Sequence, residues 1–110
     1  MNKSIHSQCD FLLSELEAAL VETSLWSETT PSDAALNSTQ PFCCDTLKFE
    51  QWLQFVFIKR LRFMIENKQA LPSKILVKPM AEESFKHLGV SVKEVLEIID
   101  KIDSLLSSHV

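Results

Sequence analysis

Apolar residues cover almost the whole circumference of one predicted helix in the middle of the chain. One set recurs at about 100° per residue and forms a single wide face; it comprises Phe49, Trp52, Leu53, Val56, Phe57, Phe63 and Met64. A second set falls on much of the remaining circumference, namely Phe55, Ile58, Leu61 and Ile65. A helix that is apolar nearly all round belongs at the centre of a fold. We therefore predict a central helix from Phe49 to Lys68, capped by Asp45 or Thr46 and ended by the Leu71-Pro72 pair.

An amphipathic helix is predicted to precede the central one. Its apolar positions repeat at helical spacing, and they are Ile5, Cys9, Leu12, Leu13, Leu16, Ala19 and Leu20. Ser4 is suited to cap this helix. We expect the helix to continue to about Leu25.

The segment between these two helices, residues 26–45, is rich in Ser, Thr, Asp and Pro, which favour turns. Loops of this length are uncommon in compact domains unless they carry a function or are held against the protein body. The apolar residues of the segment could hold it. We predict a long loop in which Phe42 and Trp26 insert against the central helix near Trp52 and Phe55.

Two further helices are predicted in the last third of the chain. Pro79 suits the first turn of a short third helix, and Gly89 suits its end. Ser91 to Glu94 has the composition of a capping box. A fourth helix from about Val92 to Ser107 follows, with apolar residues at Val92, Val95, Leu96, Ile99, Ile102 and Leu106.

The composition agrees with a helical fold. The chain has 110 residues, of which 45% are hydrophobic and only one is glycine, which is typical of a compact helical protein. The predicted fold class is therefore all-α, a four-helix bundle with a long loop between helices 1 and 2. We expect residues 1–110 to form a single domain.

The sequence also indicates a cellular compartment. No apolar run approaches the roughly 20 residues of a membrane-spanning helix, and the first residues lack the apolar core of a signal peptide. The three cysteines form an odd set, and two of them, Cys43 and Cys44, are adjacent, which does not suggest a disulfide framework. Reduced thiols fit the cytoplasm. We therefore expect a cytoplasmic protein that does not contact membranes.

Residues with catalytic chemistry are scattered. The three histidines are far apart, and a chain with one glycine has no glycine-rich phosphate loop, so we expect no metal and no cofactor. The carboxylate pairs Glu82-Glu83 and Asp100-Asp103 lie in stretches that we interpret as solvated helix faces. Cys43 and Cys44 precede a helix start that could activate a thiol, but small buried side chains are the favoured interpretation. The sequence thus contains no catalytic constellation.

The net charge of −4 is divided unevenly. Residues 1–50 carry two basic and eight acidic groups, residues 51–78 carry six and one, and residues 81–110 carry three and six. We favour neutralisation of these segments by one another in the folded domain. The alternative is an exposed anion-binding patch, and its candidate RNA contacts are Lys59, Arg62, Lys68, Lys74 and Lys78.

Arg60 breaks the local pattern. On a helical projection it falls within the larger apolar face of the central helix, so we predict that it is partly buried. A buried guanidinium needs a carboxylate, carbonyl oxygens or a route to water. We favour a structural arginine paired within the bundle over an anchor for an acidic partner.

Five segments of the chain form a recognisable pattern: Ser38 to Phe42, Asp45 to Leu47, Trp52 to Ile58, Arg60, and Asn67 to Pro72. With these segments the chain resembles the YqcC-like family of small bacterial proteins over nearly its whole length, and most strongly in its middle third. The resemblance implies a closed four-helix bundle without an established activity, encoded beside a tRNA pseudouridine synthase. The residues that match the family's most recognisable segment are the candidate partner-binding residues Gln40, Pro41, Phe42, Asp45, Trp52, Gln54 and Arg60.

These observations lead to two functional hypotheses. The first is a non-enzymatic protein-interaction module, whose partner the resemblance suggests to be a tRNA pseudouridine synthase, with a homodimer as a further option and no DNA binding. The alternative is an accessory factor in tRNA pseudouridylation that makes weak RNA contacts through the basic central segment, although the acidic total charge argues against it. An enzyme ranks third.

Overall fold

The computed structural model describes residues 4–40, 43, 45–73, 75–86, 88 and 92–108. Every regular element within these ranges is helical, which confirms the all-α class. The elements are α1 (Ile5–Glu22), α2 (Asp33–Leu36), α3, α4 (Lys78–Phe85) and α5 (Lys93–Ser108). Helix α3 is the central helix, and it consists of three consecutive segments, Phe49–Trp52, Leu53–Phe57 and Ile58–Glu66.

Helix α1 begins where the sequence predicts, because the Ser4 hydroxyl oxygen accepts a hydrogen bond from the Ser7 N–H at 3.1 Å. It ends at Glu22, three residues before the predicted end. Ser24 has a left-handed backbone with φ 62°, which turns the chain. The N–H groups of Leu25 and Trp26 then both donate to the carbonyl of Leu20, at 2.9 and 3.1 Å.

Helix α2 lies within the segment predicted to be a loop. Ser32 caps it by accepting a hydrogen bond from the Ala35 N–H at 3.2 Å. The Ser32-Asp33 pair is a recognisable helix-start signal in the sequence. The predicted insertion of Phe42 lies outside the described residues, as do Pro41 and Cys44.

The predicted cap of the central helix is wrong. The N-cap is Lys48, whose backbone N–H donates to the side-chain oxygen of Gln51 at 2.9 Å. Asp45 and Thr46 serve the preceding connection instead: Asp45 accepts from the Ser38 hydroxyl, and the Thr46 hydroxyl donates to the Ala35 carbonyl at 2.6 Å.

The middle segment of α3, Leu53–Phe57, has π-helical geometry, and the N–H of Ile58 donates to the carbonyl of Leu53, five residues earlier. A π-helical turn holds more residues than an α-helical turn. The buried side of the helix therefore moves by one residue, from Phe49, Leu53 and Phe57 before and within this segment to Ile58 and Leu61 after it.

This register change corrects the prediction for Arg60. A projection at a constant 100° per residue places Arg60 on the buried face, whereas the structure places it among the exposed residues. The π-helical segment rotates the residues after it relative to those before it. The central helix therefore buries one set of apolar residues up to Phe57 and a set shifted by one residue after it.

Asp103 corrects a second prediction. It is only 3% exposed and does not lie on a solvated face. Both its carboxylate oxygens accept from the Val77 N–H at 2.9 Å, and one also accepts from the Lys78 N–H at 2.8 Å. Asp103 of α5 thereby binds the backbone at the start of α4. The predicted caps at Gly89 and Ser91 lie outside the described residues.

The core forms where four helices meet. Helix α1 packs chiefly on α5 and also contacts the last segment of α3, while α4 packs on α5. The largest fully buried side chains come from all four of these helices and from the segment before α4; they include Leu13, Leu16, Leu20, Leu53, Val77, Phe85, Val95, Ile99, Ile102 and Leu106. This core leaves one side of α3 uncovered.

Candidate functional site

The uncovered side of α3 carries two short ridges of side chains. One ridge is Phe55, Lys59 and Phe63, and the other is Val56 and Arg60, each at i, i+4 spacing. Lys59, Arg60 and Phe63 are exposed, Phe63 by 58%, while Phe55 and Val56 are half-buried. We call these five residues the α3 edge. A cleft lies on each side of it.

The first cleft has a volume of about 420 Å³ and is named here after Trp26, which forms part of its wall. Gln54 sits at its base and is 5% exposed. The Gln54 side-chain amide donates to the Ser27 carbonyl at 2.8 Å, and its oxygen accepts from the Ser27 N–H at 2.7 Å. These bonds hold the segment after α1 against α3, and Trp26 packs on the core beside them.

Lys59 stands between Phe55 and solvent. Its ammonium nitrogen lies 5.4 Å from the centroid of the Phe55 ring, within the range of a cation–π interaction. The negative face of the ring favours this position of the ammonium group. A positive charge is therefore held over an aromatic wall of the Trp26 cleft.

Arg62 borders the same cleft but is already engaged by α1. Its guanidinium pairs with Glu17, donates to the Ser14 hydroxyl at 3.0 Å, and lies 3.7 Å from a carboxylate oxygen of Asp10. Lys78 similarly lies 3.7 Å from a carboxylate oxygen of Asp100. Carboxylates thus already offset two of the five candidate RNA contacts. Lys59 and Lys68 are exposed, and Lys74 lies outside the described residues.

The second cleft, of about 240 Å³, is named here after Trp52. The Trp52 ring stacks on Phe49 and on Phe57, with ring centroids 5.7 and 5.4 Å apart, which makes it a well-supported wall. Arg60 stands at the rim of this cleft, and Pro72 and Ile75 close its far side.

The candidate partner-binding residues are thus divided. Trp52 and Arg60 meet at one cleft, whereas Gln54 lies at the other and is occupied by the backbone of Ser27. Gln40 and Asp45 are exposed in the connection before α3. Pro41 and Phe42 lie in a part of the chain that is not described.

A third cleft, of about 430 Å³, which the sequence did not predict, lies between the start of α3 and α4. Phe49, Met80 and Leu88 contribute to its lining. No sequence signal pointed to this cleft, because it arises from the packing of two segments about 30 residues apart.

The side chains that could bind a metal ion or react as thiols are not arranged as a reactive site in the described residues. Within the described ranges, no cluster of three or more His, Cys, Asp or Glu side chains could hold a metal ion. Cys9 and Cys43 are buried, free thiols. Burial raises the pKa of the Cys9 thiol to about 11, and the nearby Asp10 carboxylate acts in the same direction.

Of the helices in the described residues, none is long and apolar enough to cross a membrane.

Comparison with known proteins gives relatives over most of the chain. Residues 8–105 match the DUF446 family, whose description reads tRNA pseudouridine synthase C. An uncharacterized protein of Haemophilus influenzae is 32% identical over 97 residues, covering 88% of this chain and 91% of that protein. The uncharacterized protein YqcC of Escherichia coli is 34% identical over 102 residues, covering 93% and 94%.

A relative of a different kind is the tRNA pseudouridine synthase C of Pectobacterium carotovorum. It is 43% identical over 60 residues, which are 54% of this chain but only 16% of that protein. The fold also has a solved counterpart. The solution NMR structure of YqcC from E. coli matches with a TM-score of 0.87 at 32% identity, covering 98% of this chain and 92% of that chain. The chain belongs to the YqcC-like DUF446 family.

Proposed function

We propose that this chain is a non-enzymatic protein-interaction module whose partner is a tRNA pseudouridine synthase. The observation that carries the proposal is the P. carotovorum relative, in which a segment similar to this chain occurs in a protein named tRNA pseudouridine synthase C. Covalent attachment keeps two modules at a high effective concentration. A separate chain would need a docking surface to reach the same arrangement.

The use of the polar groups supports a role without catalysis. The carboxylate of Asp103 binds backbone N–H groups, and the amide of Gln54 binds the backbone of Ser27. The pKa of Cys9 is raised, which makes its thiol a poor nucleophile at neutral pH. These groups serve the fold, in which we infer that α1, α3, α4 and α5 form a four-helix bundle closed by the connection between α1 and α3.

The α3 edge supports binding at the surface of this bundle. Exposed aromatic and apolar side chains beside charged groups are characteristic of binding surfaces. The relatives are bacterial, and we expect the module to act in the bacterial cytoplasm together with the synthase.

The test is calorimetry of the purified chain with the tRNA pseudouridine synthase C of the same bacterium. We expect a complex with a dissociation constant of about 10 μM or lower. The synthase heated to inactivate and unfold it serves as a control for unspecific binding. Absence of heat and of co-elution on a sizing column at concentrations well above this value would contradict the proposal.

A direct RNA contact is the second candidate, and the exposed cations Lys59, Arg60 and Lys68 favour it. The ion pairs of Arg62 and Lys78 weaken it. Under this alternative the purified chain binds tRNA at low salt, and the affinity falls steeply as salt is added, because phosphate contacts release counterions. A charge reversal at Lys59 should then weaken binding, whereas one at Lys93 on α5 should not.

A further inference from the structure

We infer that the α3 edge binds a short acidic segment of the partner protein, which places one apolar side chain in each flanking cleft and a carboxylate against Arg60. The inference rests on the proposed function and adds the chemistry of the segment that is recognised. The acidic character of the segment follows from charge complementarity with the exposed Lys59 and Arg60.

The α3 edge carries two cations that point to solvent. Lys59 and Arg60 are exposed, and neither forms an ion pair with any carboxylate in the described part of the chain. Arg62, on the same helix, shows the contrast, because α1 supplies it with Glu17 and Asp10. Two positive charges therefore face outward on the α3 edge, whose other residues are apolar.

Apolar surface lies beside these charges on both sides of α3. The Trp26 cleft lies on the side of Phe55 and Phe63, and the Trp52 cleft lies on the side of Val56. A ligand that crosses α3 can therefore reach both clefts while it passes over the two cations. Aromatic side chains and arginine are the residues most often found where binding energy is concentrated.

The guanidinium of Arg60 favours a carboxylate as its ligand. A guanidinium binds a carboxylate through two parallel hydrogen bonds, which gives both affinity and orientation. An RNA backbone would bring many phosphates near Glu17 and Glu66 at the Trp26 cleft and meet a chain with a net charge of −4. A peptide with one or two carboxylates matches the two cations and brings far less negative charge near those glutamates than RNA does, so the observations favour an acidic peptide over RNA.

The experiment uses NMR spectra of the full-length, 15N-labelled chain with two synthetic amphipathic peptides. Both contain the same leucine and phenylalanine residues, but one carries glutamate and the other lysine at its polar positions. We expect the acidic peptide to shift the amide signals of residues 52–63 and of Trp26, and the basic peptide to bind at least about tenfold more weakly. Added salt should weaken the binding of the acidic peptide, because it screens the attraction between the charges.

Variants identify the contact. Arg60→Glu should lower the affinity for the acidic peptide about tenfold, whereas Lys93→Glu, which makes the same change of charge at an exposed position of α5, should leave the affinity unchanged. Shifts that are equal for both peptides, shifts that occur away from the α3 edge, or an unchanged affinity of Arg60→Glu for the acidic peptide would overturn the inference. Shifts of the edge residues by tRNA at low salt, without any by the acidic peptide, would assign the surface to RNA instead.

The synthase supplies a separate measurement. Wild-type chain that fails to bind the synthase contradicts the proposed function, while the peptide titration still decides what chemistry the edge recognises. Synthase binding that is equal for wild type and Arg60→Glu supports the proposed function and overturns the assignment of the α3 edge as its contact.

Discussion

Gln54 and Ser27 are joined by a reciprocal pair of hydrogen bonds, in which the Gln54 side-chain amide meets both backbone groups of Ser27. The distances are 2.8 Å from the Gln54 nitrogen to the Ser27 carbonyl and 2.7 Å from the Ser27 nitrogen to the Gln54 oxygen. Because Gln54 is buried within the π-helical segment of α3, this pair determines where the chain after α1 crosses the central helix.

Gln54→Ala should therefore destabilise the fold. The substitution leaves the N–H and carbonyl of Ser27 without their partners, and an unsatisfied, partly buried polar group costs about 1–3 kcal/mol. Urea denaturation of the variant beside wild type measures the difference. Gln69→Ala, at an exposed position, is the matched control and should change stability by less than about 0.5 kcal/mol. Equal denaturation midpoints for Gln54→Ala and wild type would show that the pair contributes nothing.

Arg60 should tolerate both shortening and replacement by an apolar residue. Because it is exposed, Arg60→Ala and Arg60→Leu should each change the free energy of unfolding by less than about 0.5 kcal/mol. Had the guanidinium been buried and paired, leucine would be tolerated far better than alanine. Thermal melts of the two variants distinguish these cases, and a clearly lower melting temperature for alanine alone would contradict the exposed position.

Asp103 should make stability depend on pH. Burial raises its pKa above the ordinary value of 3.8 and is opposed by the N–H groups of Lys78 and Val77. The folded state therefore binds this proton more tightly than the unfolded state does. Its contribution to stability is greatest below pH 3.8 and is lost as pH rises through the folded pKa.

The measurement compares wild type with Asp103→Asn by urea denaturation at several values between about pH 4 and pH 7. Asparagine does not titrate, so the stability of wild type relative to this variant should fall as pH rises. Glu97→Gln, at an exposed position on the same helix, is the control and should follow wild type. If the stability of wild type relative to Asp103→Asn rises with pH instead, the hydrogen bonds from the N–H groups of Val77 and Lys78 lower the pKa of Asp103 by more than burial raises it.

Cys9 should resist alkylation in the folded protein. Its thiol is completely buried, and its pKa of about 11 against 9.0 leaves about one hundredth of the usual thiolate at neutral pH. Iodoacetamide labelling followed by peptide mass spectrometry reports each cysteine separately. We expect Cys9 to label at least about 100-fold more slowly in the native protein than in guanidinium chloride, where the thiol is exposed. Equal rates would contradict burial of this position.

The sequence predicted the helices well where one face is apolar throughout. Helix α1 has a single buried face and a serine cap, so its start is specified locally. Proline and the apolar spacing located α4 and α5 in the same way. In contrast, α2 was missed because a single turn has too few residues for a periodic pattern. The likeness to the YqcC-like family was also visible in the sequence, and the comparisons confirm it.

The candidate site was predicted only in part. The sequence predicts both Trp52 and Arg60 as site residues, and they meet at one cleft. Its prediction of a buried Arg60 is wrong because a helical projection assumes a constant α-helical turn. The pairing of Arg62 with α1 could not be foreseen, since its partners lie about 50 residues away in sequence.

By itself, then, the sequence determined the helical class, the start of α1 at its serine cap and the approximate extent of the long helices, because caps and apolar periodicity act between near neighbours. Tertiary structure alone decided which residues of α3 are buried after Phe57 and which polar side chains bind distant backbone groups. The π-helical turn at Leu53–Phe57 changes which residues of α3 are buried, and the buried Gln54 and Asp103 are hydrogen-bonded by distant backbone groups. Such long-range satisfaction leaves no local pattern, and for this reason the outward-facing edge of α3 emerges only when the helices are packed together.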